Sequence, residues 1–591
     1  MDLEQLERAY LTVRRELLNE QTDRGYWLGE LSSSALSTAT AVAALHLSPF
    51  PDVSLVSGGL KWLAEHQNAD GGWGDTVRSH SNISTTMLCR AAFHITGQTE
   101  TYAAVLQGCE QWLSQRYGRT PQELAEAVRN RYGKDRTFSV PILMMCALGK
   151  LIDWREVPRL PYELAALPQS WYRFAKMPVV SYALPALIAI GQVIHHHRGI
   201  GFPVTGFLRW LTRSRTLKVL RKIQPASGGY LEATPLTSFV CMSLSAAGLG
   251  KHRVVEKGIE FLKSSVRADG SWPIDTDLAI WVTTLSVNAL ASASELNQLP
   301  QASTLLDWLL AQQSKTIHPY TGAAAGAWGW TYHSGSVPDC DDTPGALLAL
   351  RHLAWVTDRL PEVIIPTIRG QEWILNLQNR DGGFPTFCKG WGQLPFDRSG
   401  NDLTAHALRA LYEEKPTPQQ KASVLRGFAY LSGQQRPDGS WLPLWFGNQH
   451  APDDENPVYG TARVLAAYRD WKKIDTAEAQ RGIAFLLSCQ NEDGGWGGAK
   501  QTPSSLEETA LVVEMLADTL GIEHPQVQRG VEYLVQNVLQ EGYKSATPIG
   551  FYFAKLWYFE KLYPVIFLVA ALGKVRRMLA TQQGDKDHVH S

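Results

Sequence analysis

Residues 427–441 read GFAYLSGQQRPDGSW, and the order of residue types inside this stretch decides the fold. The apolar residues ahead of Gln435 fall at helical spacing, so the first half predicts an amphipathic helix. Asp438 and Gly439 then supply a tight turn, in which glycine is free to take a positive φ. The same phrase returns as GLKWLAEHQNADGGW at 59–73, GQEWILNLQNRDGGF at 370–384 and GIAFLLSCQNEDGGW at 482–496. Residues 21–27 keep only the second half, residues 258–272 carry Val266 in place of the glutamine, and residues 530–543 are a decayed copy. From Phe384 onward the copies sit about 45–60 residues apart, the length of two helices with their loops, as in helical repeat arrays. Apolar helices such as 461–468 and 509–516 fill the gaps, and strand signals are nearly absent. The expected fold is therefore all-α, a closed α/α barrel. A motif repeated around a structure cannot face one active site at every copy, so its glutamines and aromatic residues are read as ties between helix ends.

At 591 residues the chain is too long for one core and suggests about two to four domains. Apolar residues make up 44% and charged residues 19%, the balance of a folded globular protein. A formal net charge of -1 gives no electrostatic case for nucleic acid as a partner. The cysteines (Cys89, Cys109, Cys146, Cys241, Cys340, Cys388 and Cys489) are odd in number and lack CxxC spacing, which fits a reducing compartment. The opening MDLEQLERAY is acidic and has no apolar core, unlike a secretory signal. The repeats resemble the QW repeats of squalene/hopene and oxidosqualene cyclases over nearly the whole chain. That resemblance implies two α/α barrels, the second inserted into the first. It places the catalytic barrel at 1–30 plus 231–591 and the inserted barrel at 31–230.

The stretch VPDCDDTPGALLAL sets Asp339, Asp341, Asp342 and Thr343 just ahead of an apolar helix. Carboxylates at a helix N-terminus suit the helix dipole, which is the plain structural reading. A calcium loop fails because Pro344 and Leu350 stand where glycine and glutamate are required, and a metal-binding DDxxD fails at Gly345. What remains matches DxDDT, which in the resembling family is the proton-donating signature of class II terpene cyclases. The chemistry needs such crowding: an alkene is a very weak base, and carboxylates packed together cannot all ionise, so one keeps its proton above the ordinary pKa of roughly 4. The cluster titrates as a unit. The resemblance implies Asp341 as general acid, with Asp339 and Asp342 holding and tuning it. NDLTAHAL puts Asp402 and His406 four apart on one helix face. The similar family segment orients the acid, so Asp402 is expected to favour a His406 imidazolium that stabilises the carboxylate of Asp341.

The cations formed after protonation need electron-rich surfaces that do not react, and an aromatic face attracts a cation by about 0.5–2 kcal/mol. Trp330, Trp445, Phe387, Tyr459, Tyr552 and Phe559 match aromatic pocket positions of the family. Two pocket tryptophans of the hopene-forming pattern fall near Met177 and Thr237 here. Its terminating polar cluster falls at Thr38 and Leu88, from which hopene is not expected as the main product. The resemblance implies no metal and no cofactor, and the zinc set of prenyltransferase barrels is not found.

Residues 164–231 contain no acid, and they combine the apolar run 177–194 with a basic segment holding Arg209, Arg213, Arg215, Lys218, Arg221 and Lys222. Such a segment suits a membrane interface. The resembling enzymes are monotopic, which places this one peripherally on the cytoplasmic side of a membrane, taking a lipid-soluble polyprenyl substrate; a homodimer is compatible with this. The leading reading is a cyclase of squalene or a related triterpene. The alternatives are a class II cyclase of a diterpenoid or prenylated aromatic substrate, and a non-enzymatic or prenyl-transferring barrel.

Overall fold

Gln435 donates its two amide hydrogens to the Gly439 carbonyl of its own turn (2.9 Å) and to the Glu478 carbonyl at the start of the next outer helix (2.8 Å). Gln67, Gln378 and Gln490 make the same double link. The aromatic residue closes each unit: the indole N–H of Trp441 donates to Leu431 at 2.7 Å, capping the end of its own helix. Gly439, at φ +89°, sits where a Cβ would strike the backbone of Arg481, so no other residue fits this turn.

A second tie recurs with equal regularity. The backbone N–H of each turn's aromatic residue donates to a threonine hydroxyl in the first turns of an inner helix. The pairs are Trp27 with Thr283, Trp73 with Thr86, Tyr230 with Thr237, Trp272 with Thr38, Trp328 with Thr343, Phe384 with Thr404, Trp441 with Thr461 and Trp496 with Thr509, all at 2.8–3.0 Å. Two of these units were not read from the sequence. Gln224–Tyr230 keeps the full spacing with tyrosine in the aromatic place, and its hydroxyl reaches Leu220 just as the indoles do. Gln313 links to Gly326, thirteen residues on instead of four, so an insertion hides the unit that feeds the acid motif.

The computed structural model describes residues 2–589 apart from 134, 176–179, 200–202, 320, 390–391, 393–395 and 552–554. Helix α1 (Leu3–Asn19) is followed by α2 (Ala35–Leu47), α3 (Ile83–Ile95), α4 (Arg136–Leu148), α5 (Val180–Arg198), α6 (Pro203–Ile223) and α7 (Thr234–Leu244). Of these, α2, α3, α4, α5 and α7 pack in order into a closed ring of five inner helices. The chain continues through α8 (Ala279–Ser292), α9 (Asp342–Val356), α10 (Asn401–Ala410), α11 (Pro457–Asp470), α12 (Leu506–Leu520) and α13 (Tyr563–Val589), which close a ring of six. Helix α1 packs on α13 outside this second ring, so the ring of five is inserted after it. The protein is thus an all-α double barrel.

Three sequence expectations shift. Helix α7 closes the ring of five, and Arg253–Ser264 packs on α2 and α7, so the border expected at 230/231 moves toward residue 264. Thr38 and Thr237 are repeat threonines bound to Trp272 and Tyr230, and Leu88 is buried. Met177 lies outside the described residues. Residues 180–194 of the apolar run lie in α5, an inner helix with Ile188, Ile190 and Val193 buried in the ring. No helix among the described residues is long and apolar enough to cross a membrane.

Gln378 is buried and linked to both Gly382 and Ser423, so Gln378→Ala should lower unfolding stability by about 1–3 kcal/mol. Chemical denaturation with unchanged m-value would show it; a shift below a few tenths would contradict a structural role.

Candidate active site

Because each repeat turn binds the first turns of an inner helix, the N-termini of the inner helices gather at one end of each ring. Asp339, Asp341 and Asp342 stand at that end, at the start of α9. Asp339 Oδ1 accepts the backbone N–H of Asp341 (2.8 Å) and of Asp342 (2.7 Å), folding the motif back on itself. Asp339 and Asp342 are 2% and 4% exposed. Burial pushes both carboxyls up, Asp339 to about 7 and Asp342 well above the ordinary range, and the crowding with Asp341 adds to the effect. Asp341 differs: its side chain is 24% exposed and lies 3.5 Å from His406 Nδ1.

An aromatic wall runs on from the acids. The Cys340 N–H donates to the Thr386 carbonyl (2.8 Å), and the Thr386 hydroxyl accepts the indole N–H of Trp445 (2.7 Å). Trp330 and Trp445 each meet Phe387 edge-on at 6.3 Å, and Phe396 packs at 5.4 Å from Phe387. Trp281 lies edge-on to His406 at 6.3 Å and donates to the Tyr563 hydroxyl (2.8 Å), which shares a hydrogen bond with Tyr558 (3.0 Å). Tyr459 packs between Phe446 and the Arg463 guanidinium. Buried carboxylic acids beside a rigid aromatic wall can give a proton to a weak base and shelter the cation that results.

Models of the squalene-hopene cyclase N-terminal and C-terminal domains match residues 11–202 and 278–577. The chain belongs to the squalene–hopene cyclase family. It is 24% identical to the squalene–hopene cyclase of Bradyrhizobium diazoefficiens over 91% of this chain and 89% of that one. It is 32% identical to drimenyl diphosphate synthase of Streptomyces showdoensis over 37% of this chain and 38% of that one. Among solved structures, ent-copalyl diphosphate synthase from Streptomyces platensis superposes with a TM-score of 0.59 at 18% identity, covering 97% of this chain and 99% of that one, a likeness of fold. The protein is a class II terpene cyclase.

Several residues of the cyclase sit differently from expectation. Asp402 does not serve His406: its Oδ1 accepts the Leu444 N–H (3.0 Å), anchoring the loop that carries Trp445. Burial and the nearby Asp341 push the Asp402 carboxyl up to about 6. Burial lowers the His406 pKa, against the pull of Asp341, which works against the expected imidazolium. Trp330, Trp445, Phe387 and Tyr459 join the wall. Phe559 does not; the Arg78 guanidinium covers its ring at 4.7 Å. Tyr552 lies outside the described residues. Just ahead of Phe559, Ile549–Phe551 pairs with Leu556–Tyr558, and successive residues along an extended chain face opposite sides. Tyr558 is the residue turned to Tyr563, one step from the expected Phe559. Trp281, Tyr563 and Arg463 were also missed, because within apolar helices they read as ordinary core.

In the cyclase, Tyr558→Ala should cut turnover by about tenfold, the scale of one lost cation–π contact, while Phe559→Ala changes it less than about threefold. Steady-state kinetics on both variants checks this, and the reverse order would contradict the hairpin register.

Proposed function

We propose that the cyclase starts ring closure of a linear polyprene by proton transfer from Asp341. The observation that carries this is the division of the acid cluster: Asp339 and Asp342 are sealed in, and only Asp341 presents its carboxyl to a substrate. Burial favours the protonated form at both neighbours, so Asp341 stands against an acid pair whose ionisation is held back. Its proton adds to the terminal alkene carbon, the π pair forms the new C–H bond, and the cation left behind is attacked by the next double bond. His406, with Nδ1 at 3.5 Å, can donate Nδ1–H to the carboxylate that Asp341 becomes. Trp330, Phe387 and Trp445 then face the early cations and exclude water.

Squalene or a related triterpene is the favoured substrate, because relatives matched over nearly their full length are named squalene–hopene cyclases. A lipid substrate also suits the surface of the ring of five. Along α6, Phe207, Leu208, Trp210 and Leu211 are exposed (Trp210 71%), and the helix continues into exposed Arg213, Arg215, Lys218, Arg221 and Lys222. This face supports peripheral attachment to an anionic membrane. Arg209 is not part of it: buried, it pairs with Glu163 at 2.9 Å.

A prenyl diphosphate is the second reading, favoured by one feature. A bowl of about 1190 Å³ reaches Phe387 from outside and is lined by Arg369, Arg380, Lys389 and Arg426 against Glu372 and Asp381. The drimenyl diphosphate synthase relative adds to it.

Incubation with squalene, geranylgeranyl diphosphate and a geranylgeranylated phenol, with product analysis by mass spectrometry, separates these. Squalene should be cyclised, unaffected by chelator; turnover of the diphosphate alone, lost with chelator and restored by magnesium, would favour the second reading. Asp341→Asn should lose at least about a thousandfold of turnover with unfolding unchanged, and substantial residual activity would exclude Asp341 as donor.

Reversing the charge of Arg213, Arg215, Lys218 and Lys222 together should weaken binding to anionic vesicles at least about tenfold. Unaltered co-sedimentation would move the attachment elsewhere.

A further inference from the structure

The acid motif has a counterpart across the ring. Residues 505–509, Ser-Leu-Glu-Glu-Thr, start α12 as Asp-Cys-Asp-Asp-Thr at 339–343 starts α9. Thr509 accepts the Trp496 N–H (2.8 Å) and donates to the Trp496 carbonyl (3.1 Å); Thr343 does the same with Trp328 (3.0 and 3.1 Å). Glu507 therefore holds the place in its repeat that Asp341 holds in its own. Around the ring of six, α12 is three steps from α9 and so faces it. With neighbouring axes 8–10 Å apart, opposite helices stand about 16–20 Å apart. One loop bridges the two sites: Trp445 lies in the aromatic wall, Phe446 packs on Tyr459, and Asn448 donates to Glu508 (3.1 Å).

The two glutamates are held unequally. Glu508 is engaged by Asn448, by Asn456 (2.9 Å) and by the Ser505 hydroxyl. Glu507 is 3% exposed, and its Oε1 accepts the Thr547 N–H (2.7 Å), but its Oε2 has no hydrogen-bond partner. A buried carboxylate oxygen without a donor is costly and is seldom kept without a use.

Resting on the cyclase reading above, we propose that Glu507 is the base that ends the cascade. Its carboxylate removes a proton from the carbon next to the last cation. That C–H bond breaks, its electron pair becomes the new C=C bond at the cationic carbon, and Glu507 is left as the carboxylic acid. One proton enters at Asp341 and one leaves at Glu507, so substrate and product are isomers. Glu507 then passes its proton to solvent and Asp341 regains one. A base beside Asp341 would quench the first cation, whereas one across the ring meets only the last. Burial and the adjacent Glu508 push the Glu507 carboxyl up to about 7, which suits a base that must release its proton between turnovers.

Glu507→Gln keeps the volume and removes the basicity. With the substrate that wild type converts, the test reads what this variant makes and not how fast, because protonation at Asp341 precedes the step assigned to Glu507. The ratio of the normal alkene to water-quenched alcohols or other alkenes should fall at least about tenfold. An unchanged product ratio overturns the proposal, and so does a folded variant with no turnover. If Glu507→Gln does not fold, Glu507→Asp, with its carboxylate drawn back, is read by the same ratio. A long-chain tertiary amine, whose ammonium mimics the last cation, provides a readout without turnover. It should bind Glu507→Gln at least about tenfold more weakly than wild type, and equal affinity overturns the proposal. Failure of wild type on every substrate tried would count against the substrate reading, leaving amine binding to decide the role of Glu507.

Discussion

The Thr343 hydroxyl accepts the backbone N–H of Trp328 and donates to the carbonyl of the same residue, and this two-way bond fixes where the acids stand. Thr343 is the last letter of the acid motif, yet seven other threonines accept the corresponding N–H at other repeat turns. The fold and the chemistry therefore meet at one side chain. The turn holding Trp328 is itself locked by Gln313 to the neighbouring outer helix, so a shift of the acids would require breaking ties on two helices at once. Rigidity of this kind is what a proton donor to an alkene requires, because a misplacement of even an ångström lengthens the transfer.

Burial then does what the turn alone cannot. Six inner-helix N-termini at one end of a ring favour negative charge, which by itself would lower carboxyl pKa values. At Asp339 and Asp342 the loss of water outweighs that field, and both carboxyls are pushed up. At His406 the same loss of water lowers the pKa and disfavours the charged ring. The aromatic wall is then the electron-rich surface available to a developing cation, and the buried Arg463 guanidinium packs on Tyr459 of that wall. The same rule at Glu507 gives a carboxyl that changes state near neutrality, at the opposite side of the ring.

The repeats made the fold legible because Gln-x3-Gly-x-aromatic survives wherever one spacing is kept. The copy before α9 escaped notice since an insertion separates Gln313 from Gly326, and the copy at Gln224 since tyrosine replaces tryptophan. The acid motif was legible as a string of residue types, and three of its members could be assigned to one helix start. What could not be read was which way side chains turn. Asp402 and His406 share a helix face by spacing, but Asp402 is claimed by the Leu444 backbone, a partner 42 residues away. Phe559 and Tyr558 differ by one step along an extended chain, and nothing local says which faces Tyr563. Thr38 and Thr237, read as departures from a hopene-forming pocket, also tie repeat turns, a role that no local pattern announces.

In the proposed mechanism a cation is made by adding a proton, and every other role follows from that. Turnover in deuterium oxide, with the product examined by mass spectrometry and deuterium NMR, tests it most directly. The account predicts a product one mass unit heavier than that formed in ordinary water, with the single deuteron on the carbon that was the terminal alkene of the substrate. A product without deuterium would contradict it, because the cation would then have been made by losing a leaving group and not by gaining a proton.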